Sequence, residues 1–105
     1  MIISGGFNIY PSDLEAVLRR HADVADVAVI GVPSAEWGET PVALVVPRKE
    51  ASVDGEALRL WVNQQVGKTQ RLAALRLIDE LPRSAIGKVL KRELREAWNT
   101  DAARP

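Results

Sequence analysis

Lys88 follows Gly87 in a short turn-forming stretch, LPRSAIGKVLKREL (81–94), just ahead of a run that reads as a basic helix. A helix N-terminus carries a partial positive charge of about half a unit, so it favours acids in its first turn. Lys88 and Lys91 therefore work against helix stability. A lysine on a glycine turn suits another task. It is a mobile point charge that can reach a phosphate or carboxylate on a different body, and the glycine lets that body approach closely. From Pro82 to Glu96 five basic residues, Arg83, Lys88, Lys91, Arg92 and Arg95, stand against two acids, Glu93 and Glu96. A solvated helix face explains most basic runs of this kind. Lys88, on the turn, fits that explanation least.

Other chemistries find little support. Neither GK pair forms a phosphate loop, which needs G-x-x-x-x-G-K-[ST] between a strand and a helix. The first glycine would fall on Val62 for Gly67-Lys68 and on Pro82 for Gly87-Lys88. SGGFN (4–8) lacks the third glycine of a dinucleotide fingerprint, and no serine sits in a G-x-S-x-G setting. The lone His21 has no partner motif and reads as a surface residue, so no metal site is expected.

The elements that would position these residues follow from periodicity and punctuation. A glycine turn at residues 5–6 leads into a helix with Leu14, Val17 and Leu18 on one face. Pro11 suits its first position, and Ser12 with Glu15 fits a capping box. VADVAVIGVP (24–33) is apolar on both faces and predicts an interior strand. SAEWGE turns the chain, and TPVALVVPR returns as an antiparallel partner. Asp54 caps a helix running to about Val66, with Leu58, Trp61 and Val62 inward and Gly67 as its stop. LRLIDELP (75–82) predicts a third strand, and Leu90, Leu94 and Trp98 mark the inner face of a last helix. The expected fold class is α+β: a small three-stranded antiparallel-type sheet with helices packed on it, plus glycine-turn and hairpin segments. Residues 1–98 form the domain and 99–105 a frayed tail.

The 105 residues suffice for one domain with a modest core. Fourteen basic and fourteen acidic side chains cancel, so no global field draws the chain to nucleic acid or an anionic membrane. The chain has no cysteine, which excludes disulfides and thiolate metal sites. No apolar run approaches the ~20 residues of a bilayer span, and the first residues lack the basic start of a signal peptide. A cytoplasmic location is the corresponding expectation. A strand and a glycine turn at the first residues make the chain read as a piece cut from a longer protein.

Three blocks, IISGGFNIYPSDLEAVL, VADVAVIGVPSAEWGETPVALVV and LPRSAIGKVLKRELRE, occur in order and at suitable spacing. They resemble the C-terminal domain of AMP-forming acyl-CoA synthetases, within the adenylate-forming enzymes that include luciferases and peptide-synthetase adenylation domains. The likeness covers about residues 2–97, and the segment from about 50 to 74 contributes little to it.

That resemblance implies a ligase that joins a carboxylic acid to ATP and then passes the acyl group to the thiol of CoA. A large N-terminal domain, absent here, would bind most of the substrates. The C-terminal domain would swing as a lid. It implies that Lys88 is the lysine delivered for adenylation, and that Gly5, Gly6 and Phe7 form the loop on the CoA (pantetheine) side during thioester formation. Many relatives carry Glu where this chain has Phe7. Asn8, Tyr10 and Pro11 would position that loop, and Trp37, Gly38 and Glu39 would form a structural hairpin turn. ATP, Mg2+ and CoA would serve the full-length enzyme, with no cofactor held by this piece, which is expected to be inactive alone. The PRSAIGK context further implies a protein lysine acetyltransferase acting on Lys88. Two alternatives stay open: a carrier-protein-loading adenylation domain, and a free-standing ferredoxin-like interaction or regulatory module. An open reading frame continuing upstream into a large domain would separate the enzyme from the module.

Overall fold

The computed structural model describes the backbone of residues 1–102 and the side chains of 1–99. Two three-residue strands, β1 (Ile2–Ser4) and β2 (Phe7–Ile9), open the chain, followed by helix α1 (Pro11–Arg19). A long hairpin comes next, β3 (Val24–Ser34) and β4 (Gly38–Pro47). Helix α2 (Gly55–Gln65), a single 3-10 turn (Lys68–Gln70), strand β5 (Ala74–Leu77) and helix α3 (Lys91–Ala102) complete it.

Among the described residues the sheet has five strands, where three were expected. β4 is its spine. β3 runs antiparallel along one edge of β4, from Val24↔Pro47 to Ser34↔Gly38. The other edge is shared by β1, paired at Ser4↔Gly38, and by β5, paired from Val42↔Ala74 to Val45↔Leu77. β5 is parallel to β4, a correction to the antiparallel expectation. Its cause is the connection: α2 lies between the two strands and carries the chain back to the starting end, as a parallel pair requires. β1 is the strand expected ahead of the glycine turn, and β2 went unread because three residues are too few to show alternation.

Both faces of β3 are covered, as its apolar run predicted, and so are both faces of β4. Val27, Val29, Ala43 and Val45 pack against Leu14 and Leu18 of α1 and Leu58 and Val62 of α2. Ala28, Ile30, Val32, Val42 and Leu44 meet Leu81 and Leu94 on the other side, with Trp98 partly buried beside them. The arginine of Arg76 lies over the Trp98 ring, 4.1 Å from its centroid. β3 is nonetheless an edge strand and not an interior one, because a run apolar on two faces reports covered faces and says nothing of neighbours.

Helix ends divide into those set locally and those set at a distance. Asp54 caps α2 as expected, its carboxylate accepting from the Glu56 N–H at 3.1 Å. Pro11 occupies the start of α1. The Ser12–Glu15 capping box does not form, and the cap residue is Tyr10 without a side-chain bond. Glu15 is buried instead. It accepts from the Val29 N–H on the open edge of β3 at 3.0 Å and pairs with Lys91 Nζ at 3.0 Å. One carboxylate thus closes a sheet edge and ties α1 to α3 across it. α2 ends at Gln65 with Val66 extended, and Gly67 is not left-handed, so the expected glycine stop is not used. Strand β5 ends at Leu77, short of the expected 82, although Ile78 N–H still donates to the Val45 carbonyl. α3 continues through residue 102 into the tail expected over 99–105, and residues 103–105 lie outside the described residues. His21 is half-buried and not a surface residue, edge-on to Trp61 with ring centroids 4.9 Å apart.

Replacing Glu15 by Ala strands both the Val29 N–H and the Lys91 ammonium. Charge-assisted hydrogen bonds contribute about 1.5–3 kcal/mol each, and Lys91 recovers part of that in water. A net loss of about 2 kcal/mol is expected, seen as a lower urea midpoint with an unchanged m-value.

Candidate functional site

Lys88 stands on a small hairpin between β5 and α3. Arg83 and Val89 form a bridge, Ser84 N–H donates to the Lys88 carbonyl at 2.8 Å, and Gly87 N–H donates to the Ser84 carbonyl at 2.9 Å. Gly87 has φ 86°, the left-handed conformation that glycine admits without strain. Lys88 N–H reaches Ser84 Oγ at 3.3 Å, and Leu90 N–H donates to the Pro82 carbonyl at 2.8 Å, closing the base of the turn ahead of α3. The tip carries Ile86, 89% exposed.

The basic side chains of this stretch have separate fates. Arg83 pairs with Asp26 on β3, Lys91 with Glu15 on α1, and Arg92 with Glu96 one turn along. Lys88 is exposed and, among the described residues, makes neither an ion pair nor a side-chain hydrogen bond. Arg95, exposed on the helix, shares that freedom but not the turn. Around Lys88 the surface opens into a broad depression of about 770 Å³ that also takes in Arg19, Arg92 and Arg95, a predominantly cationic wall.

Gly5 and Gly6 form the two-residue loop of the β1–β2 hairpin, with Ser4 opposite Phe7. Their φ values, 57° and 85°, are those of a type I′ turn, in which both central residues are left-handed. Gly5 N–H donates to the Trp37 carbonyl at 2.9 Å, so the loop is fastened to the β3–β4 turn. The Trp37 ring lies against Gly5, and a Cβ added there would stand 2.7 Å from its Cε3 atom. Of the three residues expected to form the hairpin turn only Trp37 lies in it, at 35–37. Gly38 and Glu39 open β4, paired with Ser34 and Pro33, and Trp37 in addition shapes the neighbouring loop. Glu39 Oε1 accepts from the Ile3 N–H at 3.3 Å. Asn8 pairs with Ile3 within β1–β2, and Tyr10 and Pro11 join that hairpin to α1.

Phe7 is 56% exposed and borders a groove of about 340 Å³ with Trp37, Lys68, Arg71 and Leu72. The segment after α2, which the sequence reading passed over, therefore supplies one wall of that groove. It is held there by Asn63, whose amide donates to the Leu72 carbonyl at 3.1 Å and accepts from the Leu72 N–H at 2.8 Å. The sequence signal for Lys68 and Arg71 was slight: two cations in a polar stretch behind a helix.

The structure brings Gly5, Gly6 and Phe7 together and keeps Lys88 apart. The glycine loop is tied to Trp37, beyond the Ser34 end of β3, and the lysine turn is tied to Asp26, near its start. Eight residues of strand at about 3.3 Å each put roughly 26 Å between those anchor points.

Residues 13–88 match the AMP-binding enzyme C-terminal domain family. The chain belongs to that family. It is 44% identical over 95 residues to a 2-succinylbenzoate–CoA ligase of Geobacillus kaustophilus, covering 90% of this chain and 19% of that protein. Its fold matches ATP-bound MatB from Rhodopseudomonas palustris with TM-score 0.87 and 38% identity, over 91% of this chain and 19% of that one. It also matches a Mycobacterium tuberculosis fatty acyl CoA synthetase with TM-score 0.88 and 34% identity, over 96% and 20% of the two chains. The AMP-binding C-terminal domain thus spans about one fifth of the length of these relatives. Among the described residues, no helix is long and apolar enough to cross a membrane.

Proposed function

We propose that this chain is the mobile C-terminal lid of an AMP-forming acyl-CoA synthetase. The enzyme would join a carboxylate to the α-phosphate of ATP, releasing pyrophosphate, and then exchange AMP for the thiol of CoA. Lys88 serves the first half-reaction and the Gly5–Gly6–Phe7 loop serves the second. One observation carries this reading: an exposed lysine, unpaired among the described residues, and a bare glycine loop are fixed towards opposite ends of the same strand, one through Asp26 near its start and the other through Trp37 just past its end. Loops so far apart do not fill one small site together, so the domain has to reorient between the two steps. Ile86 beside the lysine and Phe7 beside the glycines are the exposed apolar contacts that each docking would cover.

The lysine tip is cationic, which suits phosphate oxygens and not a divalent metal. Mg2+ would therefore arrive with ATP on the N-terminal domain, and this chain supplies it no ligand at the tip. The acceptor is CoA rather than a carrier-protein arm, a choice that follows the CoA-ligase names of the relatives. A carboxylate pocket would lie in the N-terminal domain, and the enzyme would work in the cytoplasm, where ATP and CoA are at hand. Acetylation of Lys88 by a protein lysine acetyltransferase would remove its charge and stop adenylation alone.

The test is a separate assay of each half-reaction in a full-length ligase carrying this domain. Lys88→Ala should lose the first and keep the second, and equal loss of both overturns the reading. On its own the chain should show no acyl-CoA formation and weak or undetectable ATP binding by calorimetry; turnover by the isolated chain would refute the lid role.

A further inference from the structure

Among the described residues the Lys88 side chain has no partner, yet the residue before it is held firmly. Arg83 spans the base of the turn. Its Nη1 donates to the Gly87 carbonyl at 2.7 Å, and its Nη2 pairs with Asp26 Oδ2 on β3. The other Asp26 oxygen accepts from the Val27 N–H at 2.9 Å, which fixes the carboxylate relative to the strand. The backbone bonds within residues 82–90 set the internal shape of the turn. The arginine fork joins that shape to the sheet. A guanidinium does this with donors in one rigid plane; an ammonium has no such fork.

We propose that Arg83 and Asp26 are positioning residues for Lys88, which hold the turn at a fixed angle to the sheet so that docking of the domain places the ammonium at the reacting phosphate. This rests on the proposed role of Lys88. An exposed lysine on an untethered turn would spread its charge over many positions, and a misplacement of about 1 Å can lower a rate about 100-fold.

The experiment compares Lys88→Ala, Arg83→Met, Arg83→Lys, Asp26→Asn and the double variant Arg83→Met/Lys88→Ala in a full-length ligase carrying this domain, with each half-reaction measured separately. Arg83→Met should slow adenylation about 10- to 100-fold and leave thioester formation from supplied acyl-adenylate unchanged. Arg83→Lys and Asp26→Asn should show smaller losses in the same half-reaction. In the Lys88→Ala background Arg83→Met should add nothing, because both act on one charge. Loss of both half-reactions in Asp26→Asn, or a full additional loss in the double variant, overturns the positioning role. If Lys88→Ala leaves adenylation intact, the lysine reading itself falls. The brace is then judged by backbone NMR of the 105-residue chain. Increased motion at Gly87 and Lys88 in Arg83→Met and in Asp26→Asn supports it, and unchanged order parameters overturn it.

Discussion

Lys88→Ala is expected to slow acyl-adenylate formation by about 10²–10³-fold while thioester formation from supplied acyl-adenylate stays close to its original rate. The chemistry sets the size of the effect. A carboxylate must approach a triphosphate, and negative charge gathers around the α-phosphate as the new bond forms. A cation between the two offsets their repulsion and holds both in line. Loss of one preorganised electrostatic group of this kind corresponds to about 3–4 kcal/mol of barrier. Pyrophosphate release in the first turnover measures that step, and acyl-CoA appearance from added adenylate measures the other. Arg95→Ala is the control. Arg95 is also exposed, but it sits on the regular part of α3 and should change neither rate by more than a few-fold. Lys88→Arg is no conservative replacement, since a planar fork cannot occupy the place of a compact ammonium.

The choice of Lys88 over its basic neighbours shows what could and could not be read from the chain. In sequence, Arg83, Lys88, Lys91, Arg92 and Arg95 are five similar charges, and only the glycine before Lys88 sets one apart. The folded chain separates them through partners far away: Asp26 for Arg83 and Glu15 for Lys91. The same distance effect dissolved the expected capping box. Ser12 and Glu15 have the right spacing, but an open strand edge and a lysine from α3 outcompete a helix end for that carboxylate. Signals that act within a few residues were legible. Asp54, Pro11 and the inward faces of α1, α2 and α3 all follow from local periodicity and stereochemistry. Strand partners were not, because alternation reports which faces are covered and not which strand lies alongside. That is why β3 proved to be an edge, and why β5 entered parallel to β4.

Gly5→Ala is expected to damage the other half-reaction, lowering thioester formation about 100-fold and adenylation by no more than a few-fold. Two causes act together. At φ 57° an L-residue bears left-handed strain of about 1–2 kcal/mol. The added Cβ also meets the Trp37 ring at 2.7 Å, a separation that forces the ring or the loop aside. Because Gly5 is fastened to Trp37 through its own N–H, displacing one moves the other, and a shift of about 1 Å in a docking loop is enough for a loss of that size. Gly6 separates the two causes. Its φ is also positive, but a Cβ there meets nothing within 4 Å, so Gly6→Ala carries the strain without the collision and should lose less. Removing the ring separates them from the other side: Gly5→Ala added to Trp37→Ala should cost little more than the strain alone. Half-reaction rates of the four variants decide the matter. If Gly5→Ala slows adenylation as much as thioester formation, the glycine loop is only the turn of a hairpin, and the division of labour between the two ends of β3 is lost with it.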